Sequence, residues 1–400
     1  MNEQRHKTIQ AGYAVKVARS IEEVEKLRII WEGIQFHPNT DIEYYLTVVN
    51  SKEDILRPHV ILFSKNSQPE ALAVGRLEKR NIGITLGYKT LFRLKVPCLT
   101  ILYGGLLGNW SNEISHLLVA ELMGSLKRNE ADIVWLNLLK SDSQIYEMAR
   151  AKPNFMCRDH ITETNTHWKM TLPNSLDDFM QTMTSKHRYW LKRLPRVIEK
   201  DHPGKVSYKY YHNPEHLERL FTDAEEIAKN TYQRDLNAGF MDNREMRRRL
   251  SLSADHGWLR SYLLYIDEKP CAFWIGTLYG KTFHLDFTGY DSVYKRYEPG
   301  TILFMKIIED LAMNNVAEID FGFGDALYKQ RFGDHNWNES SVFIYAPTMK
   351  GILLNVIRFL NTILHQYAVR FAEKTNILQK IKRLWRDKLI KDKDDRGDNK

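Results

Sequence analysis

The sequence predicts an α/β protein, more exactly α+β in its mixed sheets: two similar halves in tandem, each a central sheet flanked by helices, then a helical tail. Three observations carry this. The order of apolar periodicities in the first half recurs in the second, each half holds a strand–helix–strand crossover, and from Lys350 the period turns helical. The length, 400 residues, is large for one ordinary domain and comfortable for two. The boundaries expected are 1–165 for a degenerate first domain, 166–350 for a working second domain and 351–400 for a basic tail with a disordered end.

The elements follow in order. A strand at 15–18 precedes a helix at 21–34, where Val24, Leu27, Ile30 and Ile34 recur at helical spacing. Strands at 60–64 and 71–77 flank a polar turn. A strand at 98–105, a helix at 114–127 and a strand at 133–138 read as a right-handed β-α-β unit. The second half repeats this with a strand at 207–211, a helix at 214–231 and a hairpin turning at Asp267 and Glu268. A strand at 282–290, a helix at 301–314 and a strand at 318–323 follow. A shift of about 184 residues sets Ile101 on Leu285, Gly104-Gly105 on Thr288-Gly289 and Val134-Trp135 on Glu318-Ile319. The tail pattern runs over 351–389, with Ile377, Ile381, Leu384, Trp385 and Leu389 on one face and Lys380, Lys382, Arg383, Arg386 and Lys388 on the other. Such a tail either packs on the domains or binds an anionic membrane surface.

Composition narrows the class. The hydrophobic share of 43% and charged share of 27% are those of a soluble globular protein. A net charge of +8 points to a polyanionic partner: a nucleotide cofactor, RNA or an anionic membrane. Cys98, Cys157 and Cys271 are dispersed, which argues against a disulfide scaffold or a metal site and for a reducing, cytoplasmic setting. The N-terminus reads as no signal peptide, and no apolar run reaches the length of a membrane span. The expected location is the cytoplasm, with peripheral attachment to the inner membrane face through the tail as a variant. No Walker, GxSxG or HExxH motif occurs.

The candidate chemistry lies in the second half. Between strand and helix it has Lys295, Arg296 and Gly300, where the first half has no cation. A helix N-terminus with added cations and a glycine suits a diphosphate. In the strand Thr282–Tyr290, alternation puts His284, Asp286, Thr288 and Tyr290 on one face and Phe283, Leu285 and Phe287 on the other. That makes Asp286 or His284 a candidate proton acceptor. The next strand carries Asp320, Gly322 and Gly324, then Asp325 and a loop with Tyr328 and Lys329. Lys329 is placed to offset charge on a reacting carbonyl, and Tyr328 to protonate a leaving thiolate. A basic, aromatic segment with Lys186, Arg188, Lys192 and Arg196 suits either a solvated linker helix or a phosphate-bearing substrate.

From about Thr171 to Pro347 the chain resembles GNAT-superfamily acetyltransferases of the CelD-like type, linked to polysaccharide biosynthesis. The resemblance is carried in order by SKHRYWLKR, KNTYQ, GYDSVYKRYEPGTIL, IDFGFGD and YKQRF. The last segment also looks like the FKxxFG segment of Fem-type aminoacyltransferases, themselves tandem GNAT-like proteins. The resemblance implies acetyl-CoA or a longer acyl-CoA as co-substrate, no metal, and an amine or hydroxyl acceptor such as a sugar or envelope precursor. It implies that Lys295, Arg296, Tyr297, Pro299, Gly300 and Thr301 hold the diphosphate; Lys186, Arg188, Tyr232, His284, Asp320 and Asp325 are the residues expected toward the acceptor. It also implies Lys329 as the carbonyl-stabilising residue. It supplies no proton acceptor, so Asp286 rests on strand polarity. Glu298 stands where the family has Ser, an anion beside the proposed phosphates. The alternatives are a Fem-like transferase using charged tRNA and a non-catalytic protein of the membrane surface.

Overall fold

The computed structural model describes residues 9–10, 12–86, 89–231, 234 and 239–374. The first half runs β1 (Ile9–Gln10), β2 (Tyr13–Ala18), α1 (Ile21–Glu25), α2 (Arg28–Glu32), α3 (Ile42–Ser51), β3 (Ile55–Lys65), β4 (Gln68–Leu86), β5 (Lys89–Gly108), α4 (Asn112–Lys127), β6 (Ile133–Lys140) and α5 (Gln144–Ala151). The chain continues through β7 (Thr164–Thr171), α6 (Leu176–Thr182), α7 (Ser185–Asp201), β8 (Val206–Tyr211), α8 (Leu217–Ala228), α9 (Arg244–Asp255), β9 (Leu259–Ile266), β10 (Lys269–Tyr279) and β11 (Thr282–Tyr290). It ends with α10 (Pro299–Met313), β12 (Glu318–Phe323), α11 (Leu327–Phe332), β13 (His335–Tyr345) and α12 (Met349–Lys374).

All of these strands join one mixed sheet, ordered β1-β2-β3-β4-β5-β6-β13-β7-β12-β11-β10-β9-β8. The parallel pairs are β5 with β6 and β11 with β12, each made by a crossover helix, α4 or α10. The halves exchange strands at the centre. Mid-chain β7 pairs with β12, the late strand β13 pairs with β6, and the two pair with each other.

The repeat is visible in backbone detail. Each half has a two-residue hairpin with both φ positive, Asn66 and Ser67 at 48° and 69°, Asp267 and Glu268 at 49° and 64°. That is the turn whose twist matches paired strands. Each half has a glycine pressed against the next strand, Gly75 of β4 against β5 and Gly276 of β10 against β11: a Cβ on Gly75 would lie 2.7 Å from the Thr100 carbonyl oxygen, and one on Gly276 2.4 Å from that of His284. Ile101 and Leu285, the residues opposite those glycines, are counterparts as the sequence shift has them. Beyond them the halves diverge. Leu106, not Gly104, takes the place of Thr288, because the first half loops out several residues where the second has only Asp286. Across the crossover, Ile133 rather than Val134 corresponds to Glu318.

Several elements differ from the periodicity. The helix expected at 21–34 is two short helices, α1 and α2. Apolar spacing did not single out α3, α5, α9 or β13. The tail helix runs to Lys374, and its predicted face from Ile377 to Leu389 lies outside the described residues. Among the described residues no helix is long and apolar enough to cross a membrane.

Both faces of the second half's sheet are covered. Ala272 and Trp274 of β10 pack toward α7 and α10, and Phe273 and Ile275 toward α8 and α9. This is why β10 reads as a continuous apolar run. On α10, Ile302, Leu303, Phe304, Ile307, Ile308 and Leu311 are buried, and Trp274 stacks on Phe304 at 5.0 Å. Truncating such a side chain costs about 3–5 kcal/mol, so α10 is held firmly beneath the strands it follows.

Candidate functional site

The second half's two central strands part. β11 and β12 pair at only three positions, Thr282 with Glu318, Phe283 with Ile319 and His284 with Asp320. Past these, β11 stays on β10 and β12 on β7, so a wedge opens at His284 and Asp320. Asp286 is a bulge: Leu285 faces Gly276 and Phe287 faces Ile275, leaving Asp286 unopposed. The bulge corrects the alternation expected for this strand. Phe283 and Leu285 join the core under α10, while Phe287 packs into the core under α8 and α9. Thr288 therefore lies across from Trp274 instead of sharing a face with His284.

The wedge ends against the start of α10. Glu298 adopts a left-handed conformation, φ 50° and ψ 54°, and Pro299 takes the first helical position, where a missing N–H costs nothing. A Cβ on Gly300 would have the Trp274 indole nitrogen, 4.0 Å away, as its nearest neighbour. That indole N–H is buried and has no protein partner. A buried donor without an acceptor is costly, and an acceptor lying at the helix start would satisfy it. Glu298, the anion of concern, turns away. It accepts from the Trp190 indole at 3.2 Å and sits 3.6 Å from Arg331.

Lys329 is buried, and its Nζ donates to the Phe323 carbonyl oxygen at 2.5 Å, at the C-terminal end of β12. Burial lowers its pKa to about 8, against the pull of Asp320 and Asp325. The Tyr328 ring lies 5.5 Å from Trp274 and 6.0 Å from Phe321.

Residues 185–330 match the sequence model of the acetyltransferase (GNAT) domain. No curated protein matches the chain. Solved structures resemble it at low identity. FemX has 9% identity and a TM-score of 0.49 over 76% of this chain and 92% of its own. The C-terminal domain of a putative lysylphosphatidylglycerol synthetase from Agrobacterium fabrum has 12% and 0.47, over 85% and 96%. A tandem GNAT protein from the clavulanic acid biosynthesis pathway has 9% and 0.46, over 84% and 99%.

GNAT domains take acyl-CoA as co-substrate, and the wedge offers such a ligand parted strand edges, a helix start and an orphaned indole donor. Beside the wedge, strands of both halves of the chain bring a buried polar cluster together. His167 of β7 bonds Asp320 at 2.7 Å through Nε2 and Glu339 of β13 at 3.2 Å through Nδ1. Burial disfavours its charge, yet the two carboxylates outweigh that and push its pKa up to about 9. Asp320 is correspondingly held at about 2 despite burial, through His167. The other oxygen of Asp320 is 3.7 Å from His284 Nδ1. His284 Nε2 is buried without a protein partner, and burial lowers the pKa of this ring, so it is neutral. His37, from the loop before α3, packs on His284 at 4.7 Å, and burial lowers its pKa to about 3. Tyr103 of β5 reaches His167 Nδ1 at 3.3 Å.

The sequence-predicted residues thus separate into groups. His284, Asp320 and Lys329 converge at the wedge, with Tyr328 against its aromatic wall. Asp286 is tied by ion pair to Arg249 of α9 and accepts from Thr277 at 2.8 Å. Arg296 bonds Asp201 and Tyr297, and Tyr297 in turn bonds Asp201 at 3.0 Å, so both brace the end of α7. Lys295, Lys186 and Asp325 are exposed, Arg188 contacts Ser185, and Thr301 caps back to the Glu298 carbonyl. Tyr232 lies outside the described residues. Sequence reasoning missed His167, Glu339, His37 and Tyr103. For His167, Glu339 and Tyr103 the only available signal was a polar residue inside a strand, because their partners lie 64 to 172 residues away, and His37 sits in a loop. Among the described residues no group of His, Cys, Asp and Glu is arranged to hold a metal ion.

Proposed function

We propose that this protein transfers an acyl group from acyl-CoA to an amine or hydroxyl acceptor at the β11–β12 wedge. The observation that carries this is the parting of those strands at His284 and Asp320, beside a helix start where the Trp274 donor lacks a partner. The diphosphate would meet the N–H group of Gly300 and the helix dipole, with Lys295 adding charge. In attack on a thioester carbonyl, the oxygen gains negative charge and the acceptor loses a proton. Lys329 answers the first need, since a buried ammonium strengthens its hold as charge develops. His284 answers the second. It is neutral, its Nε2 is uncommitted, and its other nitrogen faces Asp320, which His167 holds ionised. Asp286, the sequence-based choice, already bonds Arg249 and Thr277, which favours a role in positioning. Tyr328 would protonate the departing thiolate.

The proposed acceptor is an amino sugar or other glycan precursor, a reading supported by the CelD-like segments. A second reading, transfer from charged tRNA, is favoured by a groove of about 890 Å³ between α3 and α9 that carries Arg244, Arg247 and Arg248. The test is free-thiol release from acyl-CoA with candidate acceptors, beside RNA binding across a salt series. Turnover without RNA supports the first reading. Steeply salt-dependent RNA binding with no thiol release supports the second.

A further inference from the structure

We infer that the outer face of α12, together with Phe155 and Met156, is a docking surface for an anionic lipid bilayer. The inference does not depend on the transfer reading.

The inner face of α12 is already engaged. Leu354, Asn355 and Thr362 are buried, and Asn355 Nδ2 donates to the carbonyls of Met156 and Arg158 at 2.9 and 3.0 Å. Arg358 lies 3.5 Å from Asp159 and stacks on Phe343 at 4.0 Å, and Lys350 bonds Asp132 at 2.7 Å. A helix packed by one face normally turns polar outward. This one presents a second apolar stripe: Met349 is 85% exposed, Leu353 58%, Leu360 52% and Tyr367 68%, with Val356 and Leu364 between them. Phe155, 68% exposed, extends the patch, since its ring lies 4.5 Å from His160, which lies 6.0 Å from Phe359.

The sequence says what covers this stripe. One apolar residue per turn recurs from Met349 to Tyr367 and continues at the same spacing through Phe371, Leu378, Ile381, Trp385 and Leu389, with Lys374 the one interruption. The repeat is about 3.6 residues, that of a straight helix. A partner helix coiling around it would need 3.5, and the mismatch of about 20° per heptad would carry the stripe off the seam over this length. A flat apolar surface fits a straight stripe. Its charge is specified too. Lys374, Lys380, Lys382, Arg383, Arg386 and Lys388 face only Glu373 and Asp387 as acids over the same stretch, the pattern of a basic amphipathic segment that sits on anionic lipid.

The test floats the full-length protein with vesicles of phosphatidylglycerol and phosphatidylcholine, and with phosphatidylcholine alone. Binding is expected to the first and to be weak on the second. Leu353→Glu with Leu360→Glu should lower the bound fraction by about tenfold or more. Arg383→Glu with Arg386→Glu should do the same with the described helix untouched. Circular dichroism and acyl-CoA affinity should stay at wild-type values in the arginine variant, and it alone decides if the leucine variant misfolds. Equal binding to neutral vesicles, no binding by the wild type, or full binding by a folded variant overturns the proposal. A wild-type dimer in light scattering that the leucine substitutions dissolve overturns it as well, and assigns the face to a second copy.

Discussion

Replacing His167 with Gln tests the buried cluster that orders the wedge. His167 bridges Asp320 at 2.7 Å and Glu339 at 3.2 Å, and its pKa rises from 6.5 to about 9. At 1.36 kcal/mol per unit this is about 3 kcal/mol of stability. A group whose folded pKa exceeds its unfolded value contributes in full below the unfolded value, and the contribution is lost as pH rises through the folded one. The window is therefore pH 6.5 to about 9. Lys329 acts in the opposite sense, but only above about 8, where its lowered pKa lies. His37 and His284, buried and neutral with lowered pKa values, also act in the opposite sense, below about 6.5. Urea unfolding of wild type and His167→Gln at pH 6, 7 and 8 therefore isolates His167 in the difference between the two. The variant should be less stable at pH 6 by about 3–5 kcal/mol, because Asp320 and Glu339 lose the imidazolium that bonds both. The gap should narrow toward pH 8 with a slope approaching 1.4 kcal/mol per unit. A gap that does not change with pH would show that His167 is not the cation between these carboxylates. If it also orders His284, the variant should lose turnover more than acyl-CoA affinity.

Lys329→Met removes the charge and keeps most of the length, so turnover should drop about 10²-fold while acyl-CoA affinity in calorimetry barely moves. Normal turnover with weaker acceptor binding would reassign the lysine. In the wild type, turnover should fall above about pH 8 as Lys329 loses its proton. Gly300→Asp has room for its side chain, so its effect is electrostatic. Acyl-CoA affinity should weaken by about 2 kcal/mol, against little change for Asn112→Asp at the start of α4; equal effects would place the ligand elsewhere. His284→Gln should remove the acidic limb of the pH–rate profile, where the free imidazole would be protonated, whereas Asp286→Asn should lower the melting temperature with a smaller effect on that limb. The reverse pattern would restore Asp286 as the proton acceptor.

Local pattern was enough for much of this molecule. The repeated strand–helix–strand units, the hairpin at Asp267 and Glu268, the helix from about Thr301 and the strand from Thr282 to Tyr290 are read from spacing, because each is held by contacts close in sequence. Lys329 and Asp320 were legible as candidates for the same reason, lying at and just past the end of one strand. The tertiary structure decided what depends on distant partners. The bulge at Asp286 exists because β10 pairs around it, and it moves Thr288 off the face of His284. The neighbours of Asp320 come from β7 and β11, and no local period encodes a bond between His167 and Glu339 of the exchanged strand β13. The bonds to Asp320 and Glu339 then charge His167 against its burial, and burial leaves His284 neutral. Two imidazoles in similar polar strands thus receive opposite states from surroundings that only the folded chain assembles.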